Sequence, residues 1–199
     1  TLKRIGALRN MTDIILSSFL SLFALFGKEE QVDESWARAM LANYLRHHFG
    51  IRNIDAYLDF YSDMRGAYEM TDDLNTKDTV NSICSSLKGK ISNREESLLL
   101  LRLMEFCGTL EEQTPAMFEI MAEIFEIPDE QLRVFSDFVN NRETTEIIIH
   151  HMEGTDGELK TLLDPTTGLL IFTYTGQDTI LLNDVPVLSG AFQVWLQSS

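Results

Sequence analysis

The sequence predicts an α+β chain, an all-α helical bundle followed by a small antiparallel β module. Three observations carry that reading. Apolar residues recur at helical spacing from Ile14 to Val139, the pattern changes to alternation after Asn141, and the helical stretch holds the same unit twice. A shift of 81 positions lays 98–124 on 17–43 without a gap, placing Gly108 on Gly27, Glu111 on Glu30, Met121 on Met40, Leu101 on Leu20 and Leu103 on Leu22. The expected division is a helical part, 1–143, and a β part, 144–199.

In chain order, Thr12 can cap a first helix that runs to Phe26 and stops at Gly27, where a left-handed residue without a Cβ is free of strain. Asp33 is the N-cap of a second helix with Trp36, Met40, Leu41, Tyr44, Leu45 and Phe49 on its inner face, closed by Gly50. A third begins at Asn53 and stops before Gly66, and a fourth carries Val80, Ile83, Cys84 and Leu87 before Gly89. Ser92 with Glu95 forms a capping box for a fifth helix, apolar on nearly every side, which should be the buried centre; Leu100, Leu101, Met104 and, on the next helix, Phe118 should be almost wholly buried. Thr114-Pro115 starts the sixth helix, and Leu132, Phe135, Phe138 and Val139 make a short seventh after Pro128. Strands are expected at 146–151, 159–163, 169–174, 179–182 and 192–196, with turns at 164–168 and at Asn183-Asp184.

The 199 residues suffice for one real core, or a core with an appendage. Acidic residues outnumber Lys and Arg by 31 to 16, a net charge of −15, which repels phosphate backbones and anionic membrane surfaces. Nucleic acid is therefore not an expected partner. Cys84 and Cys107 lie in amphipathic patterns without CxxC spacing and read as buried thiols in a reducing, cytoplasmic compartment. The apolar run 14–26 follows Lys3, Arg4 and Arg9 as in a signal peptide, but it is too short to span a bilayer and Ser17, Ser18 and Ser21 interrupt it. No membrane insertion is expected. A chain that opens on Thr and stops just after a strand is expected to be part of a longer protein, and its β module need not be complete.

Few residues suggest chemistry. Glu30, Asp33 and Glu34, with Glu111 and Glu112 of the second loop, could offer oxygen ligands to a divalent cation, although six to eight oxygens are needed for calcium and Asp33 and Glu34 also suit the positive end of a helix. No other cofactor is expected. His47-His48 and His150-His151 are adjacent pairs whose members diverge, so one of each pair should be half-buried and the other solvated. There is no Gly-rich phosphate loop, no GxSxG serine and no activated cysteine, so no catalytic residue is assigned.

The stretches 22–34 and 103–114, each a helix ending in Gly followed by an acidic loop and a new helix, resemble the TerB-like fold of tellurite-resistance proteins. The Asp-Gly pair of that family's loops is replaced here by Glu30-Gln31 and Glu111-Glu112. The run 181–187 with Gly190 is similar to the late hairpin of forkhead-associated-like β modules, without the family's Gly-Arg and Ser-x-x-His phosphothreonine elements. Together the two resemble the N-terminal region of an ABC-type ATP-binding transport protein. The resemblance implies a non-enzymatic regulatory or interaction module whose partners are proteins, chiefly other domains of the same polypeptide; the alternative is a divalent-cation sensor.

Overall fold

The computed structural model describes residues 2–108, 116–153 and 156–195, with side chains from Thr12 onward. Seven helices come first: α1 (Leu2–Glu29), α2 (Glu34–His47), α3 (Asp55–Glu69), α4 (Thr76–Leu87), α5 (Asn93–Cys107), α6 (Ala116–Phe125) and α7 (Asp129–Val139). The strands follow as β1 (Ile147–His151), β2 (Glu158–Leu163), β3 (Leu170–Thr175), β4 (Leu181–Leu182), β5 (Val185–Pro186) and β6 (Phe192–Trp195). Four of them form an antiparallel sheet in the order β1-β2-β3-β6, and β4 and β5 form a separate two-stranded ribbon. Helices followed by a small antiparallel β module is thus the observed architecture.

The fifth helix is the centre of the bundle. Leu99, Leu100, Leu101, Leu103, Met104 and Phe106 are all sealed from solvent, and Phe118 of α6 lies against Phe26 of α1 with ring centroids 4.9 Å apart. The same apolar core continues into the β part through Ile147, Leu162, Leu169, Ile171 and Phe192.

Helix ends depart from expectation in three places. The first helix extends over Leu2–Glu29, so Thr12 lies inside it, and Gly27 does not terminate it. The left-handed residue is Gln31 at φ 51°. Gly27 is needed for a different reason: a Cβ there would sit 2.9 Å from the Tyr61 hydroxyl and 3.5 Å from the Phe106 ring. Its repeat partner Gly108 has φ 89° and does cap α5. The matched glycines therefore perform unlike tasks, while the matched apolar residues Leu20, Leu101, Leu22, Leu103, Met40 and Met121 are all buried. The third helix begins at Asp55 and passes through Gly66 to Glu69, its last turn tied by an Arg65–Glu69 ion pair of 3.1 Å. Ser92 caps α5 by accepting from the Glu95 amide, but the Glu95 carboxylate reaches His48 at 2.8 Å instead of closing a capping box.

Elsewhere local chemistry acts as the sequence implies. Asp33 caps α2 by accepting from the Trp36 amide. Asn183 and Asp184, at φ 51° and 63°, make the two-residue turn between β4 and β5. Asp164 organises the turn before β3, accepting from the Thr166 amide and the Thr167 hydroxyl. The Thr114-Pro115 start of α6 and the second acidic loop lie outside the described residues.

Candidate functional site

The first acidic loop is occupied by its own structure. Asp33 is committed to the α2 cap and also accepts from the Ser35 hydroxyl, which together hold its carboxyl below the ordinary range. Glu34 accepts from Ser62 at 3.0 Å and from Arg65 at 3.1 Å, tying α2 to α3. Glu30 is exposed, and partial burial together with the neighbouring charge of Glu29 raises its carboxyl. Glu29 itself turns to Lys28 and to Thr76 of α4. Among the described residues no three His, Cys, Asp or Glu side chains are grouped as metal ligands; Glu111 and Glu112 are outside them.

The histidine pairs also resolve into structural contacts. His47 bonds the Pro186 carbonyl and His48 bonds Glu95; both are half-buried, where one of the two was expected to be solvated. His150 and His151 are both exposed, against the expectation that one would be half-buried; they end β1, an edge strand whose burial falls away after Ile147. Cys84 is buried and Cys107 half-buried, both as free thiols, and burial pushes Cys84 up to about 12. Such a thiol is not a nucleophile at neutral pH.

What the sequence did not reveal is a charged lock between α5 and the sheet. Arg102 and Glu105, three residues apart on the sealed central helix, form an ion pair of 3.4 Å. Arg102 donates to the Phe192 carbonyl at 2.7 Å, and the Phe192 amide donates to Glu105. The guanidinium also lies 3.5 Å from the centroid of the Phe192 ring and 4.8 Å from that of Tyr44. Both backbone groups that Phe192 turns away from β3 are satisfied by one helix. The signal for this was two charges, Arg102 and Glu105, within the otherwise apolar run 98–107, which can be buried there only if paired.

Further ties surround the lock. Lys160 of β2 donates to the Phe138 carbonyl and to Asn141 at 2.6 Å, Gln131 of α7 donates to Asp164 at 2.8 Å, and Asn43 of α2 accepts from the Leu188 amide at 3.2 Å. The other edge of the sheet is blunted locally. Ile147 accepts from the Thr144 amide and the Ile149 amide donates to Glu143. At Ile147 and Ile149 of β1, and at Phe192 of β6, backbone groups that an added strand would use are thus already taken.

The outward face of the sheet is different. Cross-strand partners share a face, so Leu163, Leu170 and Trp195 form one row, and Ile148, Thr161, Phe172 and Gln193 the next outward row. Gln193 is covered, but Leu163 is 58% exposed, Trp195 55%, Ile148 49% and Leu170 39%. Phe172 and Trp195 stand with ring centroids 6.5 Å apart. The rows between them, such as Ile147, Leu162 and Ile171, face the bundle and are sealed.

Among the described residues no helix is long and apolar enough to cross a membrane. Comparison with protein-family models, with curated proteins and with solved structures gives no match.

Proposed function

We propose that the chain is a non-catalytic regulatory or interaction module of a cytoplasmic protein, a TerB-like helical domain carrying a forkhead-associated-like β module, from the N-terminal region of an ABC-type ATP-binding transport protein. The observation that supports an interaction role is the outward face of the sheet. A cluster of Ile148, Leu163, Leu170 and Trp195 in solvent, with Phe172 half-buried among them, is the kind of apolar patch that marks a protein contact. The occupant this reading assigns to it is a further domain of the same polypeptide, since Trp195, the last described residue, is itself part of the patch. The acidic loop residues Asp33 and Glu34 act in this reading as helix cap and interhelical tie.

Two measurements test the reading. The coding sequence beyond Ser199 should encode a Gly-rich phosphate-binding loop between a strand and a helix; a stop codon there would remove the transporter assignment. In a Trp36→Phe background, acrylamide should quench Trp195 readily in this chain and poorly when the following region is present. Equal quenching in both would show that the patch is not its docking face.

A further inference from the structure

A second feature lies in the helical bundle. Helices α1, α3 and α4 enclose an open groove of about 600 Å³. One wall is the serine-interrupted side of α1, where Ser17, Ser18 and Ser21 stand in place of the large apolar residues that fill the rest of that helix. Because these side chains are small, they leave a furrow between α3 and α4. Alanine would leave the same furrow and is the better helix former, so the three hydroxyls are not accounted for by space.

The polarity of the groove is specific. Ser17 spends its proton on the Ile14 carbonyl at 2.9 Å and Thr79 spends its own on the Asn75 carbonyl at 2.9 Å, so both oxygens face outward as acceptors. Asp78, held by the Asn75 side-chain amide at 2.6 Å, adds a carboxylate, and among the described residues no Lys or Arg lines the groove. An anionic ligand would meet the Asp78 carboxylate with no cation among these side chains to offset it, whereas serine hydroxyls such as Ser18 and Ser82 can both donate to and accept from a neutral molecule. The floor carries two half-buried aromatic rings, Phe60 and Tyr68, the second linked by its hydroxyl to Ser21. Hydroxyl-bearing walls with aromatic faces between them match a molecule that has many O–H donors around its rim and C–H groups on its faces.

We propose that the groove between α1, α3 and α4 is a binding site for a neutral carbohydrate of one or two rings. Sugar hydroxyls donate to Ser17, Thr79 and Asp78, and the apolar face of a ring rests on Phe60 or Tyr68. Neither wall has to move to admit the ligand, because the groove is open to solvent.

The test uses the whole chain, isotopically labelled, titrated with glucose, maltose, glucosamine, glucose 6-phosphate and spermidine at millimolar concentrations while amide signals are followed. Glucose or maltose should shift the signals of Ser17, Ser21, Tyr68 and Thr79, with the phosphorylated sugar about tenfold weaker or silent. Ser82→Trp, at an exposed position on the rim, should abolish the shifts without lowering the melting temperature, and Ser17→Ala with Ser18→Ala should weaken them. The proposal is overturned if neither neutral sugar shifts these signals, if only spermidine or glucosamine does, or if Ser82→Trp leaves binding intact.

Discussion

Glu105, on the buried central helix, accepts a hydrogen bond from the backbone amide of Phe192, which follows it by 87 residues. The partner of Glu105, Arg102, takes the carbonyl of the same residue. One ion pair thus replaces the neighbouring strand that the edge of β6 lacks, and it joins the two parts of the chain at a point from which water is excluded. An edge strand with unpaired backbone groups buried against a helix would otherwise cost several hydrogen bonds.

The first prediction concerns pH. Burial pushes the Glu105 carboxyl up to about 7, against the opposing pull of Arg102, the Phe192 amide and Lys160. In an unfolded chain it titrates near 4.5. Between those values the native state holds a proton that the unfolded chain has released, so the contribution is full below the unfolded value and lost as pH rises through about 7. Stability to urea should fall from about pH 5 to about pH 8, by on the order of 3 kcal/mol at most. Glu105→Gln should flatten that slope; an unchanged slope in the variant would place the titrating group elsewhere. Lys160, whose amine burial lowers, contributes in the opposite sense, its share of the stability rising with pH.

Breaking the ion pair on one side should cost more than removing it. Arg102→Met leaves Glu105 buried without its cation and is expected to cost about 3–5 kcal/mol at about pH 9, where the carboxylate of the parent chain is ionised, whereas Arg102→Met with Glu105→Leu should cost clearly less. Denaturant titration of the two variants decides it, and additive losses would show that the charges act independently.

Two glycines inside helices should respond in opposite directions to alanine. At Gly27 the new methyl meets the buried Tyr61 hydroxyl, which itself accepts from Arg65 at 3.2 Å, so Gly27→Ala should destabilise by about 1–3 kcal/mol. Nothing lies within 4 Å at Gly66, so Gly66→Ala should stabilise by about 0.5–1 kcal/mol. Thermal melts of both proteins, run side by side, check the contrast; a neutral Gly27→Ala would mean that α1 and α3 pack less closely than described.

That pair also shows where the sequence can be read and where it cannot. Asp33, Ser92, Asn183-Asp184 and the alternation after Asn141 act through neighbours a few residues away, so their roles were legible. Gly27 stands at a helix end in the sequence pattern, but its constraint comes from Tyr61 and Phe106, which only the packed bundle brings near. The same holds for Arg102 and Glu105, whose partner Phe192 lies in another part of the chain, and for Glu95, drawn from a local capping box to His48. The serines of α1 were visible as an interruption, without any sign of the groove they open.

Calcium provides a check on the acidic loop. If Asp33 serves as a helix cap and Glu34 as a tie to Arg65, millimolar calcium should leave the melting temperature nearly unchanged, because a ligand far below its dissociation constant contributes little. A rise of several degrees, abolished by replacing Glu30 and Asp33 together, would favour the cation-sensing alternative.

The central claim is that the sheet depends on the bundle. Residues 144–199 carry seven acids against Lys160 alone, and their buried side chains, among them Ile147, Leu162, Ile171 and Phe192, belong to a core supplied mainly by helices. The most direct measurement is to express 1–143 and 144–199 separately and record amide spectra and thermal melts of each. The helical fragment should melt cooperatively, and the β fragment alone should give collapsed amide signals that disperse when unlabelled 1–143 is added. A 144–199 fragment that is monomeric, dispersed and cooperatively melting by itself would contradict the account.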